Sequence, residues 1–287
     1  MKKVLNIILE LFITTILIIV ISCLPVYVQT LETKQFISAL YESVYYLFHP
    51  SLIYIPQSVG EDLTLFEVLR KNYLNTMVVL LASFIVSLIF ALIITYIYIK
   101  SSQRIRRYFS SLFFFLESIP DVLMVIMLQF LFIVLFKKWG ISFSVVALNE
   151  ENPIYLLPII CLSNIPTLQL FKYFSSFIEE EEQKIYSDFL RAKGLSKDYI
   201  IWRHLFRNAL IHFLSQSKSI IMFMLSNLLI LELVLNINGL MVFIKSYGIG
   251  DFRILMWCLI VIYMPFLLFY KIMELFIRDW KNEGRVV

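Results

Sequence analysis

The chain has 287 residues, of which 60% are hydrophobic and only 16% charged, with 7 glycines and a mean hydropathy of +0.82. Soluble domains carry about a quarter charged residues, so this composition excludes an ordinary water-soluble domain and predicts an all-α polytopic membrane protein. The net charge of +4 is too small to indicate nucleic-acid binding, and Cys23, Cys161 and Cys258 lie far apart in apolar runs, with no CxxC and no Cys/His cluster to suggest a disulfide framework or a zinc site.

A transmembrane helix needs about 20 predominantly apolar residues. Runs of that kind occur at about 4–24, 73–99, 111–136, 154–177, 215–236 and 253–277, which predicts six spans. Repeated spans of this length exclude the short strands of a lipid-facing barrel. At the N-terminus, Met1-Lys2-Lys3, an apolar run and Val-Ile-Ser-Cys at 20–23 resemble a bacterial lipoprotein signal. The polytopic remainder favours an uncleaved first span instead. The segment 25–72 that follows is rich in Tyr and poor in basic charge, with Pro50 and Pro56 as helix breakers and a short amphipathic surface helix predicted over Asp62–Arg70. The later hydrophilic segment 137–152 carries no distinctive motif.

Basic residues orient the spans. With a cytoplasmic N-terminus the inside segments hold Lys2, Lys3, Lys100, Arg104, Arg106, Arg107, Lys172, Lys184, Arg191, Lys193, Lys197, Arg203, Arg207, Lys218, Lys271, Arg278, Lys281 and Arg285. That is eighteen of the 25 Lys and Arg residues, so both termini are predicted to be cytoplasmic and segment 25–72 extracytoplasmic.

The longest polar interval, Asp188 to His212, lies between two apolar runs and has its own punctuation. Gly194 falls where a helix would end in the left-handed conformation, Ser196 follows as an N-cap, and Asp198 sits in the first turn of a second helix. The pattern predicts two short helices meeting at a glycine and carrying Arg191, Lys193, Lys197, Arg203 and Arg207, a docking element on the cytoplasmic side.

This stretch resembles the cytoplasmic loop shared by transmembrane subunits of ABC importers, usually written Glu-Ala-Ala, three residues, Gly. The Arg-Ala-Lys-Gly-Leu-Ser core at 191–196 and the later Arg-His..Arg-Asn-Ala-Leu are most similar to the dipeptide, oligopeptide and nickel permease branch. Counting back from Gly194 puts Asp188, Phe189 and Leu190 at the Glu-Ala-Ala positions, with both alanines replaced by bulky residues, and His212 stands where the family usually has proline. The resemblance runs from about Leu65 to Val242 and includes Asn75-Thr76, Ser118-Ile119-Pro120 and the string from Glu232 to Leu240. Asn238 there replaces a proline and Leu233 a threonine, and the proline-glycine-aspartate usual after the first span is missing.

The resemblance implies a type I ABC importer permease fold in one domain over 1–287, with a permease core at 65–280 and a coupling loop at 179–213. It implies that Asp188, Phe189, Leu190, Arg191, Ala192, Lys193, Gly194, Leu195, Ser196 and His204 meet a cytoplasmic ATPase and pass its closure to the membrane helices. Its implied partners are two ABC ATPase subunits, a second homologous permease chain, an extracytoplasmic substrate-binding protein docking near segment 25–72, and the bilayer of a bacterial cell membrane. Short peptides are the first expected substrate, and nickel or another metal chelate the second.

No catalytic, cofactor-binding or metal-binding residue is expected. The chain has no GxxxxGK[ST] phosphate loop, no HExxH and no GxSxG, so ATP hydrolysis would belong to partner chains. The informative polar residues are intramembrane. Glu117 and Asp121 are four residues apart and would share one helix face, with Pro120 between them able to bend it; Asn227, Glu232 and Asn236 lie in the fifth span. An ionised carboxylate at bilayer depth costs at least about 2.5–3.5 kcal/mol, so such groups face a cavity or a partner. Glu117, Asp121, Asn227 and Glu232 are therefore candidates for the translocation path, with ion pairing to neighbouring helices as the alternative. A self-sufficient secondary transporter would show inverted repeats and paired broken helices, and neither is evident.

Overall fold

The computed structural model describes residues 2–55, 62–140 and 155–283, with the backbone alone at 2–6, 139, 207–215 and 272–283. The described chain is almost entirely helical. In order it forms α1 (Lys2–Thr30), α2 (Thr33–Phe48), a short antiparallel pair β1 (Tyr54–Ile55) and β2 (Leu63–Thr64), α3 (Leu65–Lys100), α4 (Gln103–Glu117), α5 (Asp121–Trp139) and α6 (Leu156–Glu182). Then follow α7 (Ile185–Ala192), α8 (Lys197–Ile200), a π-turn at Ile201–Leu205, α9 (Phe206–Val234), α10 (Leu240–Phe243), a second π-turn at Ile244–Gly248 and α11 (Phe252–Glu283).

Four of these helices are long and apolar enough to cross a membrane: Ile7–Thr30, Leu65–Lys100, Gln216–Val234 and Phe252–Lys271. A fifth crossing is obtained if α4 and α5, which meet at 98°, are one broken span. The continuous run expected over 111–136 is thus divided at Ser118–Pro120, because proline cannot donate to the helical ladder and biases the residue before it away from helix. Helix α6 has the length of a span, but Ser163, Asn164, Pro166, Thr167 and Gln169 dilute its hydropathy. Along most of its length it turns buried residues toward its neighbours, from Leu157 through Phe171 to Ile178.

Hydroxyl groups inside these apolar helices are satisfied locally, which is how they are accommodated without water. Thr95 donates to Ala91 O at 2.7 Å and Ser22 to Ile19 O at 2.8 Å.

The chain divides into two compact units, Met1–Thr76 with Asn238–Val287 and Met77–Ile237. In the first, α1, α2 and α11 pack around Ile18, Ile19 and Met256. The Cys23 thiol lies 3.2 Å from Ser43 Oγ, and Trp257 Nε1 donates to Tyr46 O at 3.2 Å. The start of α3 belongs here: Asn75 Nδ2 donates to Asn238 O at 2.9 Å, and Thr76 Oγ1 accepts from Leu240 N at 2.7 Å. Helix α2 had no counterpart in the sequence reading of segment 25–72. The surface helix expected over Asp62–Arg70 is instead strand β2 running directly into the first turns of α3. Pro50 opens a single 3₁₀ turn, while Pro56 and most of segment 137–152 lie outside the described residues. In the second unit, α6 and α9 form the central pair, with α5 against both.

Candidate functional site

The polar stretch folds as its punctuation predicts. Helix α7 ends at Ala192, and Gly194 takes φ +77° with its amide donating to Arg191 O at 2.9 Å. Nothing lies within 4 Å of where its Cβ would stand, so the backbone conformation alone selects glycine here. Ser196 Oγ accepts from Tyr199 N at 3.3 Å, capping α8, and Asp198 occupies the first turn. The π-turn at 201–205 then leads into α9.

Ion pairs tie this element to helix ends distant in sequence. Arg191 meets Glu182 of α6 at 2.8 Å, and Glu181 is bound by Lys184 and by the Tyr186 hydroxyl. Lys100, the last residue of α3, meets Asp198 at 2.9 Å, and Lys197 Nζ donates to Ile99 O at 3.4 Å. Arg106 of α4 donates to the carbonyls of Tyr98 and Ile99, satisfying the C-terminal end of α3, while Tyr98 OH donates to Glu179 at 3.0 Å. A cavity of about 330 Å³ sits beneath the element, lined by Glu182, Arg191, Leu195, Lys197, Ile201 and Leu205 among others.

Several large apolar side chains of the element are exposed, where water would select polar residues. Ile185 is 88% exposed and Phe189 58%, with Tyr199 and Trp202 also exposed. Asp188, Arg191, Ala192, Lys193, Gly194 and Ser196 are exposed too, and Leu190, Leu195 and His204 half-buried. The His204 ring meets Tyr199 edge to face at 5.9 Å between centroids. The side chains of Arg207 and His212 lie outside the described residues.

The intramembrane candidates separate into three places. The break at Ser118–Pro120 means that Glu117 ends one helix and Asp121 begins another, so they do not share a helix face as expected. Glu117 pairs with Lys172 of α6 at 3.1 Å beside a cavity of about 200 Å³ that Phe113 and Phe171 also line. Asp121 stands in the first turn of α5, where the helix dipole favours a carboxylate, and accepts from Asn227 Nδ2 of α9 at 2.6 Å. This pair lines a small, partly open cavity of about 30 Å³ between α5, α6 and α9, room for about one or two waters, which Cys161, Pro166 and Leu231 also line. Glu232 is elsewhere on α9 and 1% exposed. The sequence had placed Lys172 only among the cytoplasmic charges; its role as the partner of Glu117 is tertiary and has no local signal. Among the described residues, no three of His, Cys, Asp and Glu come together as metal ligands.

Comparison with known families decides the setting of this geometry. A family model described as "binding-protein-dependent transport system inner membrane component" matches residues 84–279. The chain belongs to this family. It is the membrane subunit of a binding-protein-dependent ABC importer, a multi-pass permease component. The match opens within α3 and closes within α11, so it takes in the glycine-hinged element and the residues Glu117, Asp121, Asn227 and Glu232. A comparison with curated proteins gave no match.

Proposed function

We propose that this permease component imports short peptides, with a metal chelate such as nickel as the second substrate class, and that the Asp188–Ser196 element with His204 couples it to cytoplasmic ATPases. The observation that carries the coupling reading is the exposure of Ile185 and Phe189, one turn apart on α7, on an otherwise charged element. A solvated loop gains nothing from exposing large apolar side chains, whereas a docking surface places them at its centre. The partners are two ATPase subunits that hydrolyse ATP, a second homologous permease chain and an extracytoplasmic binding protein.

The proposed topology has six spans, with α6 as the fourth and the α4–α5 pair as the third, both termini cytoplasmic, in a bacterial cell membrane. The whole chain acts as one permease domain, with 25–72 outside and 179–213 inside. Glu117, Asp121, Asn227 and Glu232 lie along the translocation path. Support comes from Asp121 and Asn227, which join two helices as the polar groups of an otherwise mostly apolar cavity, in a region where carboxylates are expensive. ATPase closure would move the glycine-hinged element and rock the spans between inward- and outward-facing states.

Reconstitution of the full complex with its binding protein in liposomes tests this reading. ATP-dependent uptake of labelled di- to pentapeptides is expected. Uptake of a nickel chelate without peptide uptake would move the substrate to the second class, and uptake indifferent to ATP would refute the function.

A further inference from the structure

Helix α3 and the coupling element are separated by about a hundred residues, yet they meet through several directed contacts. Lys100 Nζ lies 2.9 Å from Asp198 Oδ1. The Tyr96 hydroxyl donates to the same carboxylate oxygen at 3.5 Å, and Lys100 Nζ stands 4.8 Å over the Tyr96 ring. The Tyr96 ring in turn meets Trp202, in the π-turn that leads into α9, at 5.6 Å between centroids. From the other side, Lys197 donates to Ile99 O at 3.4 Å. Apart from the Lys100–Tyr96 contact within α3, each joins the last two turns of α3 to α8 or to the π-turn directly after it.

The chemistry of this junction is unlike that of a stabilising core. Lys100 and Asp198 are both about half exposed, and exposed ion pairs contribute little to folding stability. What a charge-assisted contact does supply is direction and position. The coupling element is also held to α6 through Arg191 and Glu182, but α6 is its covalent neighbour and would follow it in any case. Helix α3 has no such covalent link, and it is unbroken from Leu65 to Lys100, about 54 Å of helix.

We propose that Asp198 and Lys100 are positioning residues that clamp α3 to the coupling element, so that displacement of the element by the ATPases is carried into α3 as well as into α6 and α9. This rests on the coupling reading of the 188–196 element and adds to it a route into a helix that is distant in sequence. Tyr96 and Lys197 assist by orienting Lys100 and by holding the last carbonyls of α3 against the start of α8.

The test uses the reconstituted complex and reads two rates together, ATP hydrolysed and substrate transported. Lys100→Asp and Asp198→Lys are each expected to leave membrane insertion and ATPase co-purification near wild type while lowering substrate moved per ATP by about fivefold or more. The double variant Lys100→Asp with Asp198→Lys restores an opposite-charge pair and is expected to recover at least half of the loss, which two independent defects would not produce, while unchanged insertion and ATPase co-purification in the single variants exclude a merely structural role. Single variants with unchanged transport per ATP, or a double variant as defective as the singles, would overturn the clamp. Should the single variants insert poorly, Lys100→Gln and Asp198→Asn give the same reading without charge repulsion. Gly194→Val separates the two levels: if it uncouples the complex while the clamp variants do not, only the clamp falls. If it too leaves coupling intact, the coupling reading falls with it.

Discussion

Replacing Gly194 by valine tests whether the hinge of the proposed coupling element works through backbone geometry. Gly194 sits at φ +77°, and the space around its missing Cβ is empty, so a side chain there meets no neighbour and only the left-handed conformation opposes it. For an L-residue that conformation costs roughly 1–2 kcal/mol, with a β-branched side chain at the upper end. A penalty of that size shifts the population of the observed turn by roughly 5–30-fold. Asparagine, which tolerates left-handed backbone, is the matched control and should cost much less. The assay is substrate transported per ATP hydrolysed in proteoliposomes, with co-purification of the ATPases measured in parallel. Gly194→Val should lower the ratio by about the same factor, and Gly194→Asn should stay within about twofold of wild type. Equal behaviour of the two variants, whether both active or both inactive, would refute the argument, because only their backbone preferences distinguish them.

Phe189 is exposed on the proposed docking face, so Phe189→Asp should leave the permease folded but weaken ATPase retention during purification by about tenfold or more, the scale of an interface hot spot; undiminished retention would place docking elsewhere. Asn227→Ala leaves the Asp121 carboxylate without its 2.6 Å donor and should lower stability in detergent by about 1–3 kcal/mol, seen as an earlier thermal transition, whereas an unchanged transition would show that the pair is not maintained. Cys23, Cys161 and Cys258 are all buried, so a maleimide added to the native protein should label none of them until detergent denaturation; rapid labelling of Cys161 would contradict the packing of α6.

Much of the glycine-hinged element was legible because its determinants are local. A left-handed glycine, a serine cap two residues later and an acid in the next turn are decided by the chain's own backbone groups, and all three appear where they were read. The long apolar helices were legible for a similar reason, since about 20 apolar residues in succession have few other fates. What escaped reading was direction and partnership. Pro120, between Glu117 and Asp121, was read as able to bend the third span, but the size of the turn, 98° between α4 and α5, is set by packing and has no local signal. Helix α2 was obscured by flanking prolines and by a tyrosine-rich composition typical of interfaces. The pairs Glu117–Lys172, Asp121–Asn227 and Lys100–Asp198 join residues about 55 to 106 positions apart, and no local pattern announces such partners.

The central claim is that this permease works as one half of an ATP-driven pathway. Its most direct test is to isolate the tagged chain from its native membrane in mild detergent and identify by mass spectrometry what accompanies it. ATP-binding-cassette subunits together with a second polytopic permease chain are the predicted result. Recovery of the chain alone, still able to move substrate across vesicle membranes without ATP, would contradict it.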